Sequence, residues 1–339
     1  MLVEFHFCPS INLHSMAIID RPIIIIGAPR SGTTILFRCL ALHRDLWHLE
    51  GESHGILEND FHPREKNYES NRCTARDLTC KELSQTLYQQ FYDRALNLNK
   101  ILKSPECLLT ARSVSERSIS KVMIATLGHL SKIKKPPVIR FLEKTPKNAL
   151  RVSFLDRLFP DALFIWNKRQ ADGNIDSLIS GWLATDQIGF LEIERFARSG
   201  YPILKYLKLK DYSGKRWKFA LVPDWQSLKG QCIADVATWQ YFQCNRLAMM
   251  DLAEIPKERV FSLKHEDFIG NPVEWIRRIL DWADLPKDSQ LESFAERLPK
   301  VNDVLSDVKK KSGLRYETQV QEAMDRNPDL IPLQKLMGY

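Results

Sequence analysis

Four consecutive isoleucines, Ile23 to Ile26, follow Pro22 and run directly into Gly27. An unbroken apolar run closed by a glycine turn predicts a short strand buried on both faces, as in a parallel sheet. Apolar positions then return at helical spacing from about Thr34 through Leu42, which predicts a helix. The alternation recurs further on. Phe141 to Pro146 has the pattern of a strand end, Asn148 to Phe159 carries apolar residues at helical spacing, and Leu163 to Trp166 begins another buried strand. Strand and helix alternating over residues 22–42 and 137–182 imply an α/β core, with a central parallel sheet flanked by helices.

The intervening segments are less regular. Residues 60–135 are polar and helix-prone, and Ser84 to Leu98 and Ser115 to Leu130 are expected to be helices packed over the sheet. Residues 187–230 form an aromatic insert, with Phe190, Tyr201, Tyr206, Tyr212, Trp217, Phe219 and Trp225 set among Pro202, Gly214 and Pro223. These rings suit an exposed lid or wall; a satellite hydrophobic cluster under a long loop is the alternative. Asp235 to Ala253 has the spacing of a long helix, Val260 to Phe268 that of a strand and turn, and Asn271-Pro272 opens a helix to Asp284.

Composition narrows the class. A chain of 339 residues that is 44% hydrophobic can bury a large core and is too apolar to be disordered overall. The net charge of +7 suits a pocket for a polyanion, but the interleaved basic and aromatic residues of a nucleic-acid surface are missing. Seven cysteines show neither a Cys-x-x-Cys pair nor zinc spacing, which points to reduced thiols in a cytoplasmic compartment. No apolar run is long enough to predict a membrane span, and the start Met1-Leu-Val-Glu lacks the basic-then-apolar order of a secretory signal.

The chemistry concentrates in Gly27-Ala-Pro-Arg30-Ser31-Gly32-Thr33-Thr34. Between a strand and a helix, a Gly-x-x-x-x-Gly turn lets backbone N–H groups and the helix N-terminus hold a phosphate. Gly27 and Gly32 permit the tight backbone, while Ser31, Thr33 and Thr34 add hydroxyl donors. A nucleoside triphosphate loop places lysine directly after the second glycine, to reach the β- and γ-phosphates. Here Thr33 stands in that place and the cation, Arg30, comes earlier. The loop therefore suits a 5′-phosphate group without a γ-phosphate, and a kinase is disfavoured.

This loop resembles the 5′-phosphosulfate loop of the sulfotransferases that use 3′-phosphoadenosine 5′-phosphosulfate (PAPS), in the branch of bacterial and tyrosylprotein sulfotransferases. A second segment carries the resemblance further: Phe141-Leu-Glu-Lys144-Thr-Pro146, then Leu155 to Trp166, then Arg169 with Ser177 eight positions on. The resemblance implies a P-loop-like three-layer fold, PAPS as donor and 3′,5′-diphosphoadenosine as product. It implies that Arg169 and Ser177 hold the 3′-phosphate, roles that suit a guanidinium fork and a neutral hydroxyl. It also places Lys144, in a Lys-x-Pro motif 25 positions before Arg169, over the bridging oxygen, with Arg30 assisting at the phosphosulfate. One departure stands out. The family often reads Arg-Asp-Pro-Arg or Arg-Asp-Gly-Arg, whereas this chain has Arg169-Gln170-Ala171-Asp172-Gly173 and lacks the second arginine. His265-Glu266-Asp267-Phe268 is similar to a late Tyr-Glu-Asp-Leu strand, with Glu266 and Asp267 expected to be structural. The implied organisation is an N-terminal extension over 1–20 and one sulfotransferase domain over 21–339, with a helical insert at about 60–135 and an acceptor-side insert at about 187–230.

Sulfuryl transfer needs a base for the acceptor hydroxyl and a cation for the departing oxygen, and it demands no metal. Base candidates lie in His48-Leu-Glu50-Gly51-Glu52-Ser53-His54. Gly51-Glu52 best matches the Gly-Glu-Glu motif of the tyrosylprotein branch; Glu50 and His54 are the other two candidates. Lys309-Lys310-Lys311-Ser312-Gly313-Leu314-Arg315 is a basic loop suited to close over the 3′ side of the nucleotide, or simply a solvated charge run. The expected function is transfer of a sulfuryl group from PAPS to a hydroxyl on a small molecule, carbohydrate, lipid or peptide. The alternatives are a P-loop small-molecule kinase and a non-catalytic nucleotide-binding module of the same fold. Oligomeric state is open.

Overall fold

The four isoleucines form strand β2 (Ile23–Ile26), buried along its whole length. A two-residue strand, β1 (Ile18–Ile19), precedes it, and helix α1 (Thr33–Leu40) follows the glycine loop. Strand β3 (Leu46–His48) leads to helix α2 (His54–Asp60), and helix α3 spans Lys81–Arg94. Strand β4 (Val138–Lys144) is separated by a short 3-10 turn, Pro146–Leu150, from helix α4 (Val152–Leu158). Strand β5 (Leu163–Lys168) and helix α5 (Ala171–Leu183) come next. The long helix α6 (Ile233–Ala253), strand β6 (Val260–Lys264) and helices α7 (His265–Gly270) and α8 (Pro272–Trp282) follow. Helices α9 (Glu317–Asp325) and α10 (Leu330–Met337) complete these elements. The computed structural model describes residues 18–97, 135–183, 200–298 and 314–339. The predicted helix over Ser115 to Leu130, Phe190 and its neighbours to residue 199, most of the 1–20 extension, and Lys309 to Gly313 lie outside the described residues.

Every described strand pairing is parallel. β4 pairs with β1, β2 and β3; β2 also pairs with β5, and β5 with β6. Side chains alternate across β2, so Ile24 and Ile26 join one core and Ile23 and Ile25 the other. The first core also takes Phe141, Phe164 and Trp166, packed against α3 to α6; the second takes Leu142, Leu163 and Ile165, packed against α1 and α8. With both faces covered by helices, the fold has the expected three layers, and an all-apolar strand is what such a sheet requires. Among the described residues no helix is long and apolar enough to cross a membrane.

The aromatic insert differs from the exposed wall that its composition suggested. Tyr201, Trp217 and Trp225 are buried, and of the insert's rings Tyr206 stands well exposed. The reason is a polar gap on the α5–α6 pair that these residues close. Trp182 on α5 donates its indole N–H to Gln240 on α6 (2.8 Å), and Gln240 donates in turn to the carbonyls of Lys218 and Ala220 (2.9 and 2.8 Å). Trp217 then packs edge-on against Trp182, ring centroids 5.5 Å apart. The cluster reading therefore describes residues 200–228.

A bidentate ion pair fastens α6 to the polar segment before α3. Arg72 donates to both carboxylate oxygens of Asp251 (2.7 and 2.6 Å), and the Ser153 N–H at the start of α4 donates to the same carboxylate (3.0 Å). Removing a largely buried carboxylate leaves a guanidinium and an N–H without their partner. Asp251→Ala is expected to cost about 3 kcal/mol of unfolding free energy in urea titrations; an unchanged midpoint would contradict this account.

Candidate active site

The glycine loop, Lys144 and Arg169 sit at one edge of the sheet, where the parallel strands end in the same direction. That edge is where parallel α/β sheets present their loops to ligands. The loop after β2 lies between the end of β4, which carries Lys144, and the end of β5, which leads to Arg169.

The loop is held by close contacts. A Cβ on Gly27 would lie 2.6 Å from the Asn167 carbonyl oxygen and 2.5 Å from Ser31 Oγ, so only glycine fits. Gly32 has φ +88°, and a Cβ there would lie 2.2 Å from His265 Nδ1. Asn167 Nδ2 donates to the Ser31 carbonyl (2.9 Å). With its amide turned to satisfy both ends, Asn174 donates to the Pro29 carbonyl and accepts from the Ser31 N–H (both 3.2 Å). Ser31 and Thr33 are buried, whereas Arg30 and Thr34 are exposed. The first turn of α1 opens on this loop, with the Gly32 carbonyl accepting from the Ile35 N–H (3.1 Å) and the Leu36 N–H (3.4 Å).

Arg30, Arg169 and Ser177 come together, although they are far apart in sequence. Arg30 Nε donates to Ser177 Oγ (3.1 Å), and Arg169 donates to the Arg30 carbonyl (2.8 Å). Although Arg30 reaches solvent, crowding by surrounding protein desolvates its guanidinium and, reinforced by the adjacent Arg169 guanidinium, pulls it below the ordinary arginine value. Burial lowers Arg169 as well, against the opposing charges of Glu266, Asp172 and Asp176. Two apposed, partly desolvated guanidiniums favour an anion between or beside them. Arg169 stands on a platform: Tyr241 donates its hydroxyl to the Arg169 carbonyl (2.8 Å), and Glu266 accepts from the Gln170 N–H (3.1 Å) and the Tyr339 hydroxyl (2.8 Å).

The second cluster is built around Glu52. Lys144 Nζ donates to Glu52 Oε1 at 2.7 Å, and His54 Nε2 lies 2.8 Å from Oε2. Burial alone pushes the Glu52 carboxyl up, but the bonds from His54 and Lys144 outweigh it and bring it down to about 2. Glu50 is exposed at the same turn, and the carboxylate on Lys144 is that of Glu52. The turn is tied to β4 by the Ser53 N–H donating to Thr145 Oγ1 (2.8 Å). Burial raises the Glu143 carboxyl beneath it, against hydrogen bonds from Thr145 and Ser53.

Sequence reasoning missed a third group. Glu58 Oε1 accepts from Lys147 (2.7 Å), the Tyr201 hydroxyl (3.0 Å) and Arg151 (3.2 Å). Burial pushes Glu58 up, yet Lys147 and Arg151 hold it down at about 2. The signal that was available is Lys147 and Arg151 four apart in an apolar stretch, where two cations need a buried carboxylate. Asn167, at the end of an otherwise apolar strand, was a similar unread signal.

A profile of the sulfotransferase family matches residues 22–197, which include the loop, Lys144, Arg169 and Ser177. The chain is also 23% identical over 337 residues to a protein-tyrosine sulfotransferase of Drosophila melanogaster, covering 94% of this chain and 52% of that one. It thus spans about half the length of that curated relative. Among solved structures, it is similar to the sulfotransferase domain of the curacin biosynthetic pathway (13% identity, 91% of this chain and 98% of that one, TM-score 0.41). It is likewise similar to a sulfotransferase of Mycobacterium avium (17% identity, 82% of this chain and 67% of that one, TM-score 0.41). The chain belongs to the sulfotransferase family.

The Glu58 carboxyl sets an acid limit on stability. Its folded value of about 2 lies below the ordinary 4.5, so its contribution is present above 4.5 and is lost as pH falls from there toward 2. Thermal melts across that window are expected to show falling stability in the wild type and a shallower fall in Glu58→Gln.

Proposed function

We propose that this protein transfers a sulfuryl group from PAPS to an acceptor hydroxyl and releases 3′,5′-diphosphoadenosine. The observation that carries this reading is the meeting of Arg30, Arg169 and Ser177 beside the glycine loop, with the Lys144–Glu52 pair on the neighbouring strand end. The residues present suit the nucleotide. Ser31 Oγ is buried without a hydrogen-bond partner, and the cradle at Gly27 and Gly32 would be closed by any Cβ. When bound, PAPS supplies an activated sulfuryl group on a good leaving oxygen.

In this reading the loop N–H groups, Ser31, Thr33 and Thr34 hold the 5′-phosphosulfate, with Arg30 at its edge. Arg169 and Ser177 hold the 3′-phosphate. Lys144 neutralises the bridging oxygen as the S–O bond to it breaks and its electron pair leaves on the phosphate. Glu52 Oε1 takes the proton of the acceptor hydroxyl as the new O–S bond forms. Glu50, whose carboxylate is not the one on Lys144, is the weaker candidate for the base. The acceptor is a hydroxyl compound, and a cytoplasmic location is part of the proposal, supported by five free cysteines among the described residues.

The test begins with binding. Arg30→Ala and Arg169→Ala are each expected to weaken 3′,5′-diphosphoadenosine binding in calorimetry by about 1.5–3 kcal/mol, the range for a hydrogen bond to a charged group. Unchanged affinity in both variants would remove the assignment. Glu52→Gln is expected to bind the nucleotide like the wild type and to lose transfer of labelled sulfate, with EDTA leaving the wild-type rate intact; full activity in this variant would pass the base role to another residue.

A further inference from the structure

The two oxygens of Glu52 are held differently. Oε1 takes Lys144, and Oε2 takes His54 Nε2. An ionised carboxylate only accepts, so the hydrogen in the second contact sits on Nε2. A neutral ring then keeps a lone pair on Nδ1. Nδ1 is buried without a hydrogen-bond partner, 3.7 Å from Glu58 Oε1 and beyond bonding distance. Glu58 is occupied by Lys147, Tyr201 and Arg151, and Tyr201 is pinned by Asn71 Nδ2 (2.6 Å). Arg94 secures the turn below by donating to the Gly55 carbonyl (2.7 Å). The imidazole therefore stands on a rigid base in which Glu58 is fully engaged.

We propose that His54 is the positioning residue of the Glu52 base: its Nε2–H anchors Oε2, so that Oε1, which also accepts from Lys144, turns its remaining lone pair to the acceptor hydroxyl. This rests on the sulfotransferase reading and moves His54 from candidate base to the support of the base. His54 itself transfers no proton. A carboxylate anchored at one oxygen loses its rotational freedom, which is the kind of preorganisation that proton abstraction rewards. The groups acting on His54 are Glu52 and Glu58 from its own turn and helix and Lys147 from the segment after β4; Lys144 on Glu52, and Arg151 and Tyr201 on Glu58, complete the surroundings. Burial and the Lys147 charge keep the ring neutral against the pull of the two carboxylates. Protonation at Nδ1 would add a positive charge beside Glu52 and weaken it as a base.

The experiment uses the full chain with PAPS and 4-nitrophenol as the acceptor probe, and nitrogen NMR of labelled histidine. The His54 ring is expected to show the Nε2–H tautomer, with its titration moved by Glu52→Gln. His54→Leu is expected to lower kcat at least about tenfold, with the PAPS KM and 3′,5′-diphosphoadenosine affinity unchanged and the acid limb of the rate profile displaced. His54→Gln, which restores an N–H donor, should recover most of the loss. An Nδ1–H tautomer indifferent to Glu52→Gln, or a His54→Leu enzyme with wild-type kcat and pH profile, would overturn the proposal. The nitrogen spectra decide the contact whether or not 4-nitrophenol is turned over. A wild type that binds no 3′,5′-diphosphoadenosine would instead overturn the sulfotransferase reading.

Discussion

The parallel pairing of β2 with both β4 and β5 is the constraint from which the rest of the site follows. A strand whose two faces are buried in separate cores has no freedom to slip, because a shift of one residue would exchange Ile23 and Ile25 with Ile24 and Ile26. Its end is therefore fixed, and so is the loop that leaves it. Neighbouring parallel strands bring their own ends to the same level, a strand spacing of about 4.8 Å away. Groups separated by more than a hundred positions are placed around one loop without any contact of their own being needed to draw them in.

Charge is then distributed unevenly around that edge. On the β4 side each cation of the site has a carboxylate partner: Lys144 pairs with Glu52, and Lys147 and Arg151 share Glu58. On the β5 side Arg30 faces a serine hydroxyl and a second guanidinium. Two guanidiniums held side by side repel each other, so this arrangement favours an anion from outside at the arginine end. The β4 end holds its carboxylates ionised and oriented.

Much of this was legible in the chain. The isoleucine run, the glycine spacing and the lysine and arginine at two later strand ends identified the strands and their loops, because strand burial and phosphate loops impose local patterns. Helix limits came within a few residues, as for α1, expected from Thr34 to Leu42 and observed at Thr33–Leu40. What stayed hidden depends on tertiary partners. Asn167, Asn174 and His265 surround the loop from three different elements, and no spacing connects them. Trp217 and Trp225 look like surface rings until Trp182 and Gln240 are seen to need cover. Glu50, Glu52 and His54 differ in sequence by a step or two, and only the end of β4 distinguishes them.

The platform beneath Arg169 draws on residues from β5 to Tyr339. Lys168 donates to the Met337 carbonyl (2.7 Å), and Tyr339 bonds Glu266, which in turn holds Gln170. These closures are 73 to 169 positions apart in sequence, so they form late, after the local helices and the β2–β5 pairing. A polypeptide still emerging from the ribosome can have its glycine loop in place while the arginine platform is still unsupported. The arginine platform should consequently set abruptly, as helix α10 docks, rather than firming up in proportion to chain length.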